Sequence, residues 1–574
     1  MSFSIHPGFI LIFGGILTGI FSGRIRQALM LLVPIISFIS VLNLEIGTVR
    51  TYPFINDLEL IYLKVDKLSW IFIFTLALIT ILANIYALHN KKGGEAVSSN
   101  LYAGGAISTV LAGDWMTLIF FWEFMAITST FLIWFNGTKD ARSAGFRYIL
   151  VHFFGGNFLL AGIFLMVAAG EPNIIVLSGA GGWAYWLILI GIAVNAAIPP
   201  LHAWLTDAYP EASITGTIFL NSFTTKVAMY TLIRIFPGDT LLLWLGTIMA
   251  FYGVIYAILE NNIRRLLSYH IISQMGLIVA GIGIGTDLAL NGATALTLSN
   301  ILYKSLLFMS AGAVIHATGK YKLTDLGGIG KLMPLNLAFF YIGALAISGV
   351  PLLNGFVTKS MIISAAAYNQ MPVSELLLYL STIGTFLSIP LKLGYFMFLG
   401  PDKGIKVNNP IPQNMYVAMA GLSIICFTYG LFPNLLYDKL PFNAGYQPFT
   451  LDHIVSEVQL LVAAFAAFWI FAPGLKTKTS YSLDTDWFYR KPLKVIMGVI
   501  VSFVENIRLK SGVLGNQFLA IVIPFFKNPL QWVPLEEDVG PPGYSADKYR
   551  FPLGLTVLMC VVVFVITFSY VWLT

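Results

Sequence analysis

The chain has 574 residues, of which 57% are hydrophobic and only 10% are charged. Soluble domains carry about 25% charged residues, so this composition excludes a water-soluble protein and indicates a lipid bilayer as the solvent. The formal net charge is +6. Because the cations cluster in short loops between apolar runs, they indicate the positive-inside bias of a membrane protein and argue against a nucleic-acid partner.

The apolar runs are the main structural signal. A spanning helix needs roughly 20 predominantly apolar residues. The runs predict an all-α polytopic membrane protein with about 16 transmembrane helices. The predicted stretches are 8–22, 27–44, 67–88, 100–113, 115–135, 145–169, 183–203, 215–235, 241–259, 266–286, 291–316, 335–365, 377–399, 413–432, 456–473 and 552–573.

The charges of the connecting loops predict the orientation. Cations fall on every second loop, whereas alternate loops such as 170–182, 287–290 and 366–376 carry almost none. This alternation predicts basic loops in the cytoplasm and both termini outside a prokaryotic cell membrane. The loop cations are Arg24, Arg26, Lys91, Lys92, Lys139, Arg142, Arg147, Arg264, Arg265, Lys320, Lys322, Lys331, Lys403, Lys406, Lys476, Lys478, Arg490 and Lys491.

Residues 474–551 interrupt the alternation. Their apolar runs, Val495 to Val504 and Val513 to Phe526, are too short to span and are flanked by charges. Short amphipathic runs are typical of segments that lie along the membrane interface. The alternative is a small cytoplasmic tail that folds against the helix ends. A C-terminal transmembrane helix is expected over 552–574.

Glu123 is a carboxylate inside an apolar helix. It lies nine residues after the expected helix start at Asp114, which places it about 13 Å into the membrane, near the midplane. An ionisable residue at this depth is a functional-site hypothesis by default, because its burial is costly unless it is paired or hydrated.

Four lysines are also predicted at membrane depth. Buried lysines can exchange protons when a neighbouring charge approaches or withdraws. The alternative is that their ammonium groups reach the interface, which suits Lys226 and Lys304 least because a lysine stem spans only a few residues. The four are Lys226, Lys304, Lys359 and Lys392.

Two apolar helices contain prolines that should interrupt them. The segments are Pro199-Pro200-Leu201-His202 and Val350-Pro351-Leu352-Leu353-Asn354-Gly355-Phe356. Proline removes an intrahelical hydrogen bond and opens the backbone. A pair of broken helices in two halves indicates an ion site in an inverted-repeat transporter, and simple packing kinks are the alternative.

The two cysteines, Cys426 and Cys560, lie inside apolar runs. They form no CxxC motif and no thiolate set for zinc or an iron–sulfur cluster. No cofactor is therefore expected in this chain, and any iron–sulfur or other redox centre is expected in partner subunits.

These segments together resemble one family, the antiporter-like subunits shared by Mrp-type cation/proton antiporters, respiratory complex I and membrane-bound hydrogenase-type complexes. The resemblance runs from about residue 60 to residue 400. It rests on Phe121-Trp122-Glu123, Pro200-Leu201-His202-Ala203-Trp204-Leu205-Thr206-Asp207-Ala208, Thr225-Lys226, Arg264-Arg265-Leu266-Leu267-Ser268-Tyr269, Gly312-Ala313-Val314-Ile315-His316-Ala317-Thr318-Gly319 and Gly349-Val350-Pro351-Leu352-Leu353-Asn354-Gly355-Phe356.

The resemblance implies a domain organisation and a set of roles. Inverted repeats, each a half-channel, would cover 100–235 and 241–399, between N-terminal helices at 1–99 and additional helices at 400–473. The family's long horizontal helix matches 474–551. By motif, Glu123, Lys226, Lys304 and Lys359 take the positions of the midplane glutamate, the bridging lysine, the central lysine and the lysine of the second broken helix.

The sequence also departs from the family pattern. The first broken helix of the family carries a lysine seven residues before the histidine of Pro-Leu-His, and here that position is Asn195. A neutral amide cannot gain or lose a proton near neutral pH, so the first half-channel is expected to be weakened. Asn300 and Gln274 stand where many members have histidines, so water would have to bridge the central relay.

The sequence thus favours an antiporter-like subunit that moves protons or sodium ions within a multi-subunit, redox-linked membrane complex. Its expected partners are other membrane subunits, lipid, and H⁺ or Na⁺. One alternative is a structural and coupling subunit that translocates nothing, and another is a stand-alone secondary transporter. An enzyme acting on a soluble substrate has the least support, because no redox or hydrolytic site is evident.

Overall fold

The computed structural model describes residues 5–55, 58–443, 445–471, 484–485, 487, 491–527, 557 and 561–563. The chain divides into two compact units, Met1–Asp486 and Trp487–Thr574. Most of the predicted C-terminal helix over 552–574, most of the residues at 474–491 and all of 528–551 lie outside the described residues.

The first unit is built mainly from helices. They are α1 (Pro7–Ile20), α2 (Gly23–Leu42), α3 (Lys67–Ala87), α4 (Gly93–Leu111), α5 (Trp115–Trp134), α6 (Lys139–Ala168), α7 (Gly182–Ala196), α8 (Ala203–Ala208), α9 (Gly216–Ser222), α10 (Thr224–Ile235), α11 (Thr240–Leu259), α12 (Ile263–Ile284), α13 (Asp287–Thr318), α14 (Pro334–Ser348), α15 (Asn354–Tyr368), α16 (Pro372–Phe386), α17 (Gln413–Leu431), α18 (Asn434–Tyr437) and α19 (Leu451–Phe471). Short 3-10 turns lie at Tyr209–Glu211, Leu323–Asp325 and Ile329–Lys331.

Ten helices in the described part of the chain are long and apolar enough to cross a membrane. Every predicted stretch up to 456–473 overlaps helical residues. The helical class of the fold is therefore confirmed, whereas the count of sixteen membrane crossings stays a prediction.

A β-hairpin interrupts the helices and corrects the all-α prediction. Strands β1 (Val49–Ile55) and β2 (Leu58–Lys64) pair antiparallel, with Val49 opposite Lys64. Both strands are rich in β-branched, aromatic and leucine side chains. Seven residues are too few to cross a bilayer as a helix, and pairing satisfies the backbone groups that an extended segment exposes.

Both proline-containing segments interrupt their helices as predicted. The first separates α7 from α8 between Ala196 and Ala203, and the second separates α14 from α15 between Ser348 and Asn354. Two further irregularities were not predicted. Phe223 separates α9 from α10, and α16 continues beyond Phe386 in π-helical conformation over Leu387–Leu393 and Tyr395–Leu399.

The core of the first unit lies around α12 and α13. All of the apolar stretch of α12 and 94% of that of α13 are buried, compared with 11% for α19. Helix α11 packs along α12 so closely that a Cβ on Gly276 would lie 2.2 Å from the backbone nitrogen of Ala250. Polar side chains on α12 and α13 must therefore be satisfied by partners inside the protein.

The second unit contains one long helix, α20 (Pro492–Lys527), of 36 residues. It joins the two apolar runs that the sequence shows as separate, and at 1.5 Å per residue it is about 54 Å long. Its described side chains between residues 495 and 512 are exposed. The orientation of this helix along the membrane interface stays a prediction.

Candidate functional site

Glu123 lies in the middle of α5 and packs against α6. A Cβ on Gly156 would lie only 1.6 Å from Glu123 Oε1, so the glycine makes room for the carboxylate. This buried oxygen has no hydrogen-bond partner among the described residues. Asp114 caps the start of α5 by accepting a hydrogen bond from the backbone of Thr117, which agrees with the predicted helix start.

Lys226 is fully buried at the start of α10. Its ammonium donates to the carbonyl of Asn221 at 2.5 Å. Asn221 lies in the last turn of α9, where carbonyls have no intrahelical partner, so the interruption at Phe223 provides the acceptor. Within the described ranges no ion pair joins Lys226 to Glu123, and the pairing expected from the sequence stays a prediction.

The ammonium groups of Lys359 and Lys392 also donate to backbone carbonyls at helix ends. Lys359 donates to the carbonyl of Ile347 in the last turn of α14. Lys392, in the π-helical segment, donates to the carbonyls of Ile258 and Glu260 at the end of α11. The C-terminal end of a helix carries partial negative charge, so each break or end provides a site for a cation without a carboxylate.

Lys304 lies at the centre, in α13, and is fully buried. Its ammonium donates to the carbonyl of Leu267 in α12 at 2.8 Å and lies 5.9 Å from the centre of the Phe308 ring. Helix α13 packs against α10, which carries Lys226, and against α15, which carries Lys359. Lys304 is therefore the middle member of a row of three buried lysines.

His270 belongs to this central cluster, although the sequence analysis did not identify it. Its ring Nε2 lies 2.7 Å from Ser388 Oγ, and its Nδ1 has no partner in the described part of the chain. Helix α12, which carries His270, packs against α13 with Lys304 and against α15 with Lys359. The available signal was its place directly after the Ser268-Tyr269 motif, one turn before Gln274.

Asn300 and Gln274 are joined through Tyr303. The Asn300 amide donates to the Tyr303 hydroxyl at 3.3 Å, and this hydroxyl donates to Gln274 Oε1 at 3.1 Å. Gln274 also lies 3.5 Å from Thr385 Oγ1. A buried phenol thus connects the two amides that were expected to need bridging water.

Asn195, at the end of α7, contacts a second histidine that the sequence analysis missed. His152 Nδ1 lies 2.8 Å from Asn195 Oδ1, and both side chains are buried. The available signal was an ionisable residue within the apolar run Leu150-Val151-His152-Phe153-Phe154. The position of the missing lysine is therefore adjacent to a titratable ring.

Glu457 of α19 is a third residue that sequence reasoning missed. A Cβ on Gly349 would lie 3.1 Å from Glu457 Oε1 and 3.8 Å from Lys359 Cδ, so the two side chains converge on the second broken helix. Glu457 and Lys359 interact electrostatically. They line a cavity of about 250 Å³ together with Glu375 and Asp452.

His202 of the first broken helix binds Asp484, which lies in the chain beyond α19. The carboxylate of Asp484 accepts hydrogen bonds from His202 Nε2 at 3.1 Å, Tyr252 at 2.5 Å and Tyr269, and it is buried. Burial alone would raise the pKa of Asp484, but the hydrogen bonds and the charge of His202 outweigh burial and hold that pKa below its usual value.

Replacing Asp484 with asparagine is expected to lower the Tm of the solubilised complex by several degrees, because three donors lose a charged acceptor at a cost of about 1–3 kcal/mol. Because the pKa of Asp484 is lower in the folded protein, the ionised carboxylate stabilises the fold at pH values above the ordinary carboxyl pKa of ~3.9. This contribution is lost as the pH falls below that value. The Tm difference from wild type should therefore be constant from about pH 5 to pH 8. The exposed Asp438→Asn is the matched control, and equal Tm values for both variants would contradict a role for this contact.

The sequence of this chain is similar to those of known membrane proteins. The family model described as NADH:quinone oxidoreductase/Mrp antiporter, transmembrane, matches residues 112–388. An uncharacterized protein of Methanocaldococcus jannaschii is 31% identical over 395 residues, which cover 64% of this chain and 81% of that protein. A Na⁺/H⁺ antiporter subunit of Bacillus subtilis is 28% identical over 400 residues, which cover 65% of this chain and 80% of the Bacillus protein.

The fold is also found in solved structures. A chain of the membrane-bound sulfane sulfur reductase, an archaeal respiratory membrane complex, matches with a TM-score of 0.70 at 21% identity. The match covers 97% of this chain and 99% of that chain. The fold and the buried lysines define a multi-pass antiporter-like membrane subunit. This chain belongs to the antiporter-like family that includes subunits of Mrp antiporters, complex I and hydrogenase-type complexes, which confirms the resemblance read from its motifs.

Proposed function

We propose that this chain is the proton- or sodium-translocating subunit of a multi-subunit, redox-linked membrane complex. The observation that carries the proposal is the row of buried lysines Lys226, Lys304 and Lys359, each held by a backbone carbonyl inside the helix bundle. Buried ionisable groups inside membrane helices mark ion pathways, because their burial is too costly to be incidental.

The arrangement of the row supports stepwise transfer of charge. No carboxylate among the described residues forms an ion pair with these lysines, whose ammonium groups are held by backbone carbonyls. Two neighbouring ammonium groups repel each other, so protonation of one favours release of a proton from the next. His270 Nδ1, which has no partner in the described part of the chain, is the other titratable nitrogen beside this row.

The second half ends at the cavity beside Lys359. Glu375, which lines it, lies within the cation-poor segment 366–376, and Asp452 lies at the start of α19. On the predicted topology this loop is outside, so Glu457 and Lys359 form the outer gate of the half-channel at 241–399. The first half, at 100–235, contributes Glu123 and Lys226.

The proposal places the subunit in a prokaryotic cell membrane with both termini outside. Its partners are other membrane subunits, which is supported by the assembly named for a solved structure of the same fold, an archaeal respiratory membrane complex. Redox centres, including iron–sulfur clusters, belong to the partner subunits.

A structural and coupling subunit is the second candidate, and one observation favours it. Asp484, in the chain beyond α19, accepts a hydrogen bond from His202 of the first broken helix, so the segment around Asp484 is fixed to that helix. On this alternative the buried lysines stabilise the bundle and no ion passes.

The two candidates differ in ion flux through the native complex in sealed vesicles, with H⁺ followed by a pH-sensitive dye and Na⁺ by isotope uptake. On the leading proposal Glu457→Gln lowers flux about tenfold, because a neutral amide cannot accept the proton that Lys359 releases. The exposed Glu171→Gln is the matched control and should transport like wild type. Flux that is absent from the wild-type complex, or equal in both variants, would favour the structural candidate.

A further inference from the structure

The hydrogen bond between His152 and Asn195 determines which nitrogen of the His152 ring carries the hydrogen. An amide oxygen can only accept a hydrogen bond, so His152 Nδ1 carries the hydrogen that it donates to Asn195 Oδ1 at 2.8 Å. In the neutral ring Nε2 is then the acceptor nitrogen with a free lone pair. This Nε2 is buried and has no partner among the described residues.

Glu123 of α5 contacts α6 one helical turn after His152. The carboxylate oxygen of Glu123 that lacks a partner rests against Gly156, which is one helical turn after His152 on the same face. Four residues of helix rise correspond to about 6 Å. The Glu123 oxygen without a partner thus lies about one helical turn along α6 from the backbone of His152, a spacing that one or two water molecules can bridge.

The surroundings hold the imidazole in place and, among the described residues, provide no other charge partner. The rings of Tyr148 and Trp204 lie 4.2 Å and 4.5 Å from the His152 ring, centre to centre. The other ionisable groups on the elements packed against α6 are engaged elsewhere. Asp207 pairs with Arg147, Tyr185 donates to Asp239, His202 contacts Asp484, and Glu211 acts electrostatically with Arg264.

We propose that His152 is the proton-exchanging group of the first half, and that Asn195 is the residue that positions it. In the transfer step the O–H bond of protonated Glu123 breaks, a proton crosses the bridging water, and an N–H bond forms at His152 Nε2. The products are a carboxylate and an imidazolium that stabilise each other, and the reverse step restores both neutral groups. This inference rests on the proposed translocation function.

On this proposal Asn195 has a different role from the one that the sequence suggests. The sequence suggests a first half that has lost its cation, whereas the geometry assigns the proton to a ring on the neighbouring helix. Asn195 accepts the hydrogen bond from His152 Nδ1, so the lone pair of Nε2 is available to accept a proton. The first half is then a histidine version of the exchange site and is active.

The test measures H⁺ flux of the native complex in sealed vesicles as a function of pH. His152→Gln keeps a donor to Asn195 but cannot be protonated, and it should lower flux at least tenfold at every pH. Asn157→Ala, on the exposed side of the same helix and bonded only to the backbone of Phe153, is the control and should match wild type.

Variants of Asn195 separate positioning from packing. Asn195→Leu removes the acceptor and should lower flux several-fold. Asn195→Asp restores an acceptor, so it should recover flux and move the midpoint of the pH profile to higher pH, because a carboxylate favours the imidazolium. This pair remains informative if His152→Gln fails to assemble, since both are compared in assembled complexes of equal Tm.

The outcomes distinguish this inference from the proposed function. A wild-type complex without flux would overturn both. Normal flux in wild type, loss of flux in Lys304→Ala, and unchanged flux in His152→Gln would overturn only the role of His152. Identical pH profiles for Asn195→Leu and Asn195→Asp would overturn the positioning role of Asn195.

Discussion

Replacing Lys304 with alanine is expected to abolish ion transport by the native complex, lowering flux at least a hundredfold. Lys304 is fully buried, and its helix α13 packs against the helices that carry Lys226 and Lys359. Without it the row loses its central titratable group, so a proton has no site between the two outer lysines. The measurement is H⁺ and Na⁺ flux in sealed vesicles.

The controls for Lys304 separate charge from proton exchange. Lys304→Arg keeps the positive charge, but a guanidinium does not release its proton, so this variant should also be inactive. Lys403→Ala removes an exposed ammonium that donates to the carbonyl of Thr324 and should transport normally. Transport by Lys304→Arg would show that only a fixed charge is needed, which contradicts proton exchange at this position.

The second large effect is expected at Glu123. Glu123→Gln has nearly the same shape and fits against Gly156, so assembly should be unchanged while flux falls about thirtyfold. The physical reason is that an amide neither accepts nor releases a proton near neutral pH. The measurement is again flux in sealed vesicles, with assembly checked by size-exclusion chromatography.

Gly156→Ala provides an independent test of the same site. A Cβ at this position would overlap Glu123 Oε1, so the carboxylate must move although its chemistry is intact. We expect a loss of flux similar to that of Glu123→Gln. Normal flux in both variants would mean that Glu123 takes no part in transport.

The sequence predicts the helices and the burial of the four lysines for a physical reason. A charge inside an apolar run is conspicuous because its burial is costly, and the same rule locates Glu123. The prolines near 199 and 351 mark both interruptions because proline cannot donate within a helix. These signals are local in the chain and need no knowledge of tertiary contacts.

The missed features depend on contacts between distant residues. His152 and His270 barely change the hydropathy of their helices, and their partners Asn195 and Ser388 lie 43 and 118 residues away. Asp484 lies in a polar stretch, and its partner His202 is 282 residues earlier. The β-hairpin was missed because strands of seven residues give no spanning signal.

The carbonyls that hold the buried lysines have a consequence for ion selectivity. Asn221, Ile347 and Ile258 present backbone oxygens, which no side-chain substitution removes. Carbonyl oxygens at helix ends are also the ligands that bind a dehydrated alkali cation in transporters. A lysine that has released its proton no longer places a positive charge beside these oxygens, so on the proposed function an ammonium and a sodium ion compete for the same carbonyls. The choice between proton and sodium transport would then depend on which cation those oxygens bind.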